Sequence, residues 1–255
     1  MRVHVVSDVH ARSDALSKAG DGADALICLG DLVLFLDYDD PSGGIFADLF
    51  GEDAAVRLIS LRTERQFDQA REFSAELWAQ IGRDRYEVIE EAIRGQYADL
   101  FAAMPTPAYV TYGNVDVPRL YGDYVREGIT VLDGETCEIG GKLFGFIGGG
   151  LQTPMRTPYE ISDEDYAAKV AAIGAVDVLC AHIPPAVPEL LYDVAARRME
   201  RGSEALLDAI RETQPETVLF GHVHNPLVRR TRIGRTECVN VGHFRGRGTP
   251  FVFEW

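Results

Sequence analysis

Five short polar clusters recur along the chain, and each directly follows an apolar run of the kind that forms a strand. Their side chains are carboxylates, imidazoles and an amide, which are oxygen and nitrogen ligands that manganese, iron and zinc ions accept in proteins. No thiolate is needed to complete such a set, so these residue types predict a site for two metal ions. In chain order the clusters are Asp8-Val9-His10, Gly30-Asp31, Gly113-Asn114-Val115-Asp116, Ala181-His182 and Gly221-His222-Val223-His224.

The spacing inside two of these clusters suits metal binding. Side chains at positions i and i+2 of a strand point the same way, so Asp8 can act with His10, and His222 with His224. Taken singly, these residues have ordinary structural alternatives: a helix cap or loop position for Asp8 or Asp31, a turn for His182 or Asn114, and a satisfied core position for His222 or His224. The ordered set at strand ends is what favours the metal site.

This order of residues resembles the calcineurin-like metallophosphoesterase superfamily, whose pattern is Asp-x-His, Gly-Asp, Gly-Asn-x-Asp or Glu, a single His, and Gly-His-x-His. The resemblance runs from Ser7 to His224 and is greatest to the small bacterial and archaeal phosphodiesterase-like members. It implies an α/β fold, a four-layer α/β/β/α sandwich of two mixed sheets flanked by helices. Residues 1–255 would form a single domain with a helical insertion at about 38–104.

The resemblance also implies a role for each residue of the clusters. A hydroxide bridging two divalent or trivalent ions, with Mn, Fe or Zn expected, would attack a phosphoester without a covalent enzyme intermediate. Asn114 and His182 would act in catalysis together with Asp116, which we expect to orient a histidine ligand through a hydrogen bond. The first ion would be held by Asp8, His10, Asp31 and His224, and the second by Asp31, Asn114, His182 and His222, with Asp31 bridging.

Val115 departs from the commoner family pattern. Many members carry a histidine at this position, which is taken to protonate the leaving group or stabilise the transition state. A general acid typically contributes about 10²–10⁴-fold to a rate. We therefore expect hydrolysis to be slowed most for esters with alkoxide leaving groups, which need a proton. The small phosphodiesterase-like members also lack this histidine.

Four further features are candidates for substrate binding. Arg12 lies two residues after His10, where it could reach a phosphate oxygen or only solvate the start of the first helix. His243 could contact substrate or be a structural histidine. The amide of Asn114 could donate to phosphate, and the glycine- and proline-punctuated loop at 148–159 could form a mobile substrate wall.

Composition narrows the substrate class. The formal net charge is −15, and nucleic-acid binding rests largely on Lys and Arg neutralising phosphates. A small phosphorylated substrate therefore fits better than nucleic acid, and a nuclease is the second hypothesis. A third is a metal-binding scaffold that acts through an interaction surface.

The location and redox state follow from what the chain lacks. We expect a cytoplasmic protein without membrane contact, because no apolar run approaches the length of a bilayer span and none of signal-peptide type precedes Asp8. The four cysteines are scattered without C-x-x-C spacing, so we expect reduced thiols.

The elements that must position the clusters alternate between strand and helix patterns. Short β-rich runs precede the clusters, and a helix over 13–19 with Ser13 as its N-cap makes a βαβ opening. Helices are also predicted over 163–173 and 203–213. Within the insertion, apolar residues at helical spacing over 67–81 and 89–101 predict two long helices. Their apolar stripes would pack on the sheet or on each other, or would form a cap over the active site or a homodimer surface.

Overall fold

The computed structural model describes residues 1–255 as alternating strands and helices. No helix is both long enough and apolar enough to cross a bilayer. The strands are β1 Arg2–Val6, β2 Ala25–Cys28, β3 Ala108–Val110, β4 Ile129–Val131, β5 Glu135–Ile139, β6 Lys142–Ile147, β7 Gly150–Leu151, β8 Glu160–Ile161, β9 Val178–Ala181, β10 Tyr192–Asp193, β11 Arg198–Met199, β12 Thr217–Phe220, β13 Arg230–Ile233, β14 Thr236–Asn240 and β15 Phe251–Glu254. The helices are α1 Ser13–Leu16, α2 Ile45–Phe50, α3 Glu52–Thr63, α4 Phe67–Ile81, α5 Arg85–Ala103, α6 Pro118–Tyr121, α7 Asp163–Ile173, α8 Pro188–Leu191, α9 Glu204–Thr213 and α10 Phe244–Arg247.

Two mixed sheets carry the parallel strands that precede the polar clusters. The five-stranded sheet has the order β15-β1-β2-β3-β4, in which only β15 is antiparallel to its neighbour. The six-stranded sheet has the order β13-β14-β12-β9-β6-β5, with antiparallel strands at both edges and four parallel strands between them. Because the inner strands of each sheet are parallel, their carboxyl ends lie at one edge of that sheet.

Alternate residues of the strands build the core. Val5 and Ile27 of the first sheet share one buried cluster with Phe146 and Leu219 of the second, so the two sheets pack face to face. The opposite face of the six-stranded sheet, at Phe220, packs in a second cluster with residues of α7 and α9. The predicted sandwich of two mixed sheets flanked by helices is therefore confirmed.

Local sequence signals fix several element boundaries. The Ser162 and Ser203 side chains accept hydrogen bonds from the third residue on, so α7 and α9 begin where a serine cap predicts. Gly140 and Gly141 both have positive φ, as a two-residue hairpin turn between β5 and β6 requires.

The prediction for the first helix was wrong in its cap and its length. Arg12, not Ser13, occupies the N-cap position, and α1 is only four residues long. After Leu16 the backbone continues in tighter turns, with the amides of Lys18 and Ala19 bonding three residues back.

Residues Val33–Asp99 form a compact unit of their own, and Met1–Leu32 with Leu100–Trp255 form the other. The smaller unit has a separate core in which Phe46, Leu58 and Leu61 are buried and Phe73 of α4 packs against them. The predicted helix over 67–81 is confirmed, the second extends over Arg85–Ala103, and α2 and α3 precede them as additional helices.

Truncation of the core between the sheets should destabilise the protein strongly. Phe146→Ala removes a fully buried ring and leaves a cavity, so we expect the free energy of unfolding to fall by about 3–5 kcal/mol. Urea denaturation in the presence of a chelator measures it. Leu143→Ala, on the same strand but 38% exposed, is the matched control and should change stability by about 0.5 kcal/mol or less. Equal losses in the two variants would contradict this assignment of the core.

Candidate metal centre

The polar clusters meet where the parallel strands end. Backbone hydrogen bonds join successive clusters: the Asp8 amide donates to the Gly30 carbonyl at 3.0 Å, and the Gly221 amide donates to the His182 carbonyl at 3.0 Å. The clusters follow β1, β2 and β3 in one sheet and β9 and β12 in the other. The topology thus brings carboxylates, an imidazole and an amide from the first sheet together with imidazoles from the second.

A glycine precedes three of the clustered side chains because the loops approach too closely for a Cβ. A Cβ at Gly113 would overlap the Asp31 carboxylate, and one at Gly221 would overlap Ser7 and Asp8. Gly-Asp, Gly-Asn and Gly-His in the sequence are therefore a steric requirement of this arrangement.

Four of the predicted ligands have left-handed backbone conformations. The φ angles are 57° at Asp8, 44° at His10, 54° at Asp31 and 66° at His222. Such a conformation costs about 1–3 kcal/mol per non-glycine residue and persists only where the surroundings enforce it. It turns these side chains towards one another after their strands end.

Asp31 stands between two sets of imidazoles. One carboxylate oxygen, Oδ1, accepts a hydrogen bond from the Val115 amide at 3.0 Å. The other, Oδ2, lies 3.9 Å from His10 Nε2 and 3.5 Å from His182 Nε2. A buried oxygen that faces a histidine of each predicted ligand group has the placement that a bridging carboxylate needs.

The second ligand group converges on the Asn114 side chain. Asn114 Oδ1 lies 3.0 Å from His182 Nε2 and 2.9 Å from His222 Nδ1. The other ring nitrogen of His182, Nδ1, lies 2.9 Å from the Leu29 carbonyl oxygen, which can only accept. The proton therefore belongs on Nδ1 when the ring is neutral, which leaves the Nε2 lone pair for a metal ion.

The first ligand group contains a buried oxygen that the protein leaves without a hydrogen bond. Asp8 Oδ2 accepts from the His222 amide at 3.0 Å, whereas Asp8 Oδ1 has no hydrogen-bond partner and lies 3.5 Å from His224 Nε2. Buried carboxylate oxygens are rarely left unpaired unless something else satisfies them. A cation bound at this oxygen would do so.

The ligand atoms are close enough for two ions. One atom from each of Asp8, His10 and Asp31 lies within 4.8 Å of the others, and the same holds for Asp31, His182 and His222. The two sets share only Asp31. Distances, donor chemistry and the unpaired Asp8 oxygen therefore all fit a two-metal site.

The charges of the site are strongly coupled. Burial alone would raise the pKa of Asp8, but His224, with His182 and His10, holds it well below its usual range. Burial alone would lower the pKa of His182, yet the Asp31 carboxylate raises it to about 9. The site thus holds ionised carboxylates with a proton nearby, which a metal ion would replace.

Asp116 acts on the backbone around Asp31. Its carboxylate accepts from the amides of Asp31 at 2.8 Å, Leu32 at 2.9 Å and Gly113 at 2.8 Å. Burial, and then the nearby Asp31 charge, raise the pKa of Asp116 to about 6. These contacts fix the loop that carries Asp31, while the orientation of a histidine ligand by Asp116 stays a prediction.

The two predicted substrate contacts have different surroundings. Arg12 donates to the Asp14 carboxylate at 3.0 Å and to the Arg245 carbonyl at 2.7 Å, at the start of α1. His243 lies at the site: its ring stacks on His224 with 3.8 Å between centroids and 7° between planes. Parallel stacked rings cannot both aim in-plane lone pairs at one ion, so in this arrangement His243 is a neighbour of the first ligand group.

The loop at 148–159, for which a substrate wall stays a prediction, contacts Asn114. Asn114 Nδ2 donates to Thr157 Oγ1 at 2.9 Å, and the Tyr159 amide donates to the Asn114 carbonyl at 2.9 Å. One amide hydrogen that we expected to reach phosphate is therefore used within the protein. Sequence reasoning missed Thr157, since nothing in its spacing links it to a residue 43 positions earlier.

Comparison with known families agrees with this geometry. The sequence pattern of the family described as calcineurin-like phosphoesterase matches residues 1–226, which include all the predicted ligands. The chain belongs to the calcineurin-like phosphoesterase family. Comparison with curated proteins gave no match. The resemblance drawn from five clusters is thus confirmed, and the His/Asp groups of this calcineurin-like phosphoesterase are those of a two-metal site.

Removal of single ligands should separate the two ions. Asp31→Ala should lose both, His224→Ala only the first, and His222→Ala only the second, because Asp31 alone belongs to both ligand groups. Metal content after Mn²⁺ loading and desalting, measured by plasma mass spectrometry, should fall from about two ions to about none, one and one. Asp21→Ala, at an exposed aspartate, should keep both ions. Retention of one tightly held ion by Asp31→Ala would contradict the shared carboxylate.

Metal affinity should fall as the pH falls. Because Asp31 raises the pKa of His182 to about 9, that proton is bound at neutral pH and must leave when a metal ion binds. Below pH 9 the affinity at this site should drop about tenfold per pH unit for one released proton. Calorimetry at pH 7 and 8 in two buffers of different ionisation enthalpy measures both effects. An affinity independent of pH over this range would show that His182 binds no proton there.

Proposed function

We propose that this calcineurin-like phosphoesterase is a two-metal hydrolase of phosphodiesters or of small phosphorylated metabolites. The observation that carries the proposal is the Asp31 carboxylate, which faces a histidine of each ligand group. The family and the His/Asp groups support phosphoester hydrolysis. The substrate class is our inference from the net charge of −15 and from the residue at position 115.

When bound, the two ions would supply a hydroxide at neutral pH and neutralise charge on the phosphate oxygens. The protein positions the ligands for this chemistry. Asp116 fixes the loop of Asp31 through three backbone amides, and the Leu29 carbonyl keeps the Nε2 atom of His182 available as a ligand.

The site offers little help to a poor leaving group. Val115 holds Asp31 with its backbone amide, but its side chain carries no proton to give. Diesters with acidic leaving groups need no such donor, which supports a preference for them. His243 is the stronger candidate for a substrate contact, because its ring stacks on His224 and its Nε2 has no hydrogen-bond partner within the protein. The donors of Arg12 that bond Asp14 and Arg245 make it the weaker candidate.

The proposal predicts hydrolysis of an activated diester. Protein stripped of metal and restored with Mn²⁺ should hydrolyse bis(p-nitrophenyl) phosphate, measured by release of nitrophenolate. The double variant Asn114→Ala, His182→Ala removes two ligands of the second ion and should lose about 10³-fold or more, since both the nucleophile and charge neutralisation depend on that ion.

Two outcomes decide the proposal. An alkyl monoester such as methyl phosphate should react at least about 10²-fold more slowly, and comparable rates would show that another residue supplies the proton. No hydrolysis of any phosphoester by protein that demonstrably holds two ions would refute the enzyme and favour a metal-binding scaffold.

A further inference from the structure

Asn114 must present its oxygen, not its nitrogen, to the second ion. A side-chain amide can rotate by 180° and exchange the two atoms, and only the oxygen can act as a metal ligand. The contacts around Asn114 show which orientation the protein enforces. Its Oδ1 lies 2.9 Å from His222 Nδ1, and its Nδ2 lies 2.9 Å from Thr157 Oγ1.

Thr157 can only accept a hydrogen bond from Asn114. The Thr157 hydroxyl lies 2.9 Å from Glu160 Oε1, and a carboxylate has no proton to donate, so the hydroxyl proton belongs to Glu160. The lone pairs of Thr157 Oγ1 are what remains for Asn114. If the Asn114 amide rotated, its carbonyl oxygen would face the Thr157 oxygen without a proton between them.

Glu160 is itself held in place. Its Oε2 accepts from the Thr153 amide at 2.7 Å, and its Oε1 also accepts from the Thr153 hydroxyl at 2.7 Å. The same segment is fixed to the metal-site turn through its backbone, since Tyr159 donates to the Asn114 carbonyl. Gly150 completes the contact, because a Cβ there would lie 2.7 Å from the Asn114 Cβ.

We infer that Thr157 and Glu160, here called the amide brace, are positioning residues for the second metal ion. The brace sets the orientation of the Asn114 amide before a metal ion arrives, and so it raises the affinity of the second ligand group specifically. Neither residue is among the predicted ligands of that ion. The inference rests on the two-metal centre of the proposed function and adds to it the residues that select the amide oxygen.

The test is metal binding by the whole protein without any substrate. Thr157→Val keeps the shape of the side chain but cannot accept a hydrogen bond, so the affinity for the second Mn²⁺ should fall about 10–100-fold. The first ion should bind as in the wild type. Titration of the metal-free protein with Mn²⁺, followed by electron paramagnetic resonance, gives both affinities. Thr157→Ser keeps the hydroxyl and should bind the second ion with wild-type affinity. Thr130→Val, at an exposed position of β4, is the control and should also have wild-type affinity.

A second variant keeps the test decisive if Thr157→Val fails to fold. In Glu160→Gln the new amide can donate to Thr157, so the Thr157 proton is free to point at Asn114. The affinity for the second Mn²⁺ should therefore fall, as in Thr157→Val. Wild-type affinity for both ions in Thr157→Val or Glu160→Gln would overturn the brace. So would equal loss in Thr157→Ser, because the hydroxyl would then not be the cause.

Failure of the brace and failure of the enzyme are separable. A wild type that binds two ions but hydrolyses no phosphoester would refute the proposed function, while a selective loss of the second ion in Thr157→Val would still support the brace. If the wild type hydrolyses diesters and Thr157→Val binds both ions normally, the proposed function is supported and the brace is refuted.

Discussion

The centre depends on one buried carboxylate. Asp31 is 4% exposed, and burying its charge without a partner would cost several kcal/mol. The protein offsets this with the Val115 amide on one oxygen and with imidazoles near the other. Every strand end that delivers a ligand has to converge on this position, which is why both sheets present their parallel strands to the same region. Burial alone would raise the pKa of Asp31, but His182 and His10 hold it below its ordinary value, and bound cations would stabilise the charge further.

The rigid sandwich makes this arrangement possible. Left-handed conformations at Asp8, His10, Asp31 and His222 together store an amount of strain that a flexible loop would release. Each of these residues follows a strand that is buried between neighbours, and the adjoining glycines let the turns pack backbone against backbone. Packing energy from the core thus holds ligands in geometries that local propensity disfavours.

The sequence was enough to predict which polar side chains meet at the strand ends, but not what holds them there. Asp31 and His182 stand out because they are polar residues directly after apolar strand patterns, and parallel topology brings such positions together. The partner of Asn114 could not be found that way, since Thr157 lies in a loop without periodicity and the two meet only in the folded chain. The contacts between Asp116 and the loop of Asp31 could not be predicted for a related reason. The groups that donate to the Asp116 carboxylate are backbone amides, and these do not depend on residue type. In the insertion the helical period predicted α4 and most of α5, whereas the six-residue α2 and the helix α3 were not predicted.

The negative charge of the chain opposes the binding of an anionic phosphate at this centre. A chain of net charge −15 repels phosphate at long range, and the carboxylates of Asp8 and Asp31 repel it at short range. Only bound cations can reverse the sign of the potential at the site. If the proposed function is correct, phosphate binding depends on metal loading, and whatever raises the affinity for the second ion also raises the affinity for substrate. The hydrogen bond from Asn114 Nδ2 to Thr157 would then affect phosphate binding indirectly, through the metal ion, although that hydrogen itself points at the protein.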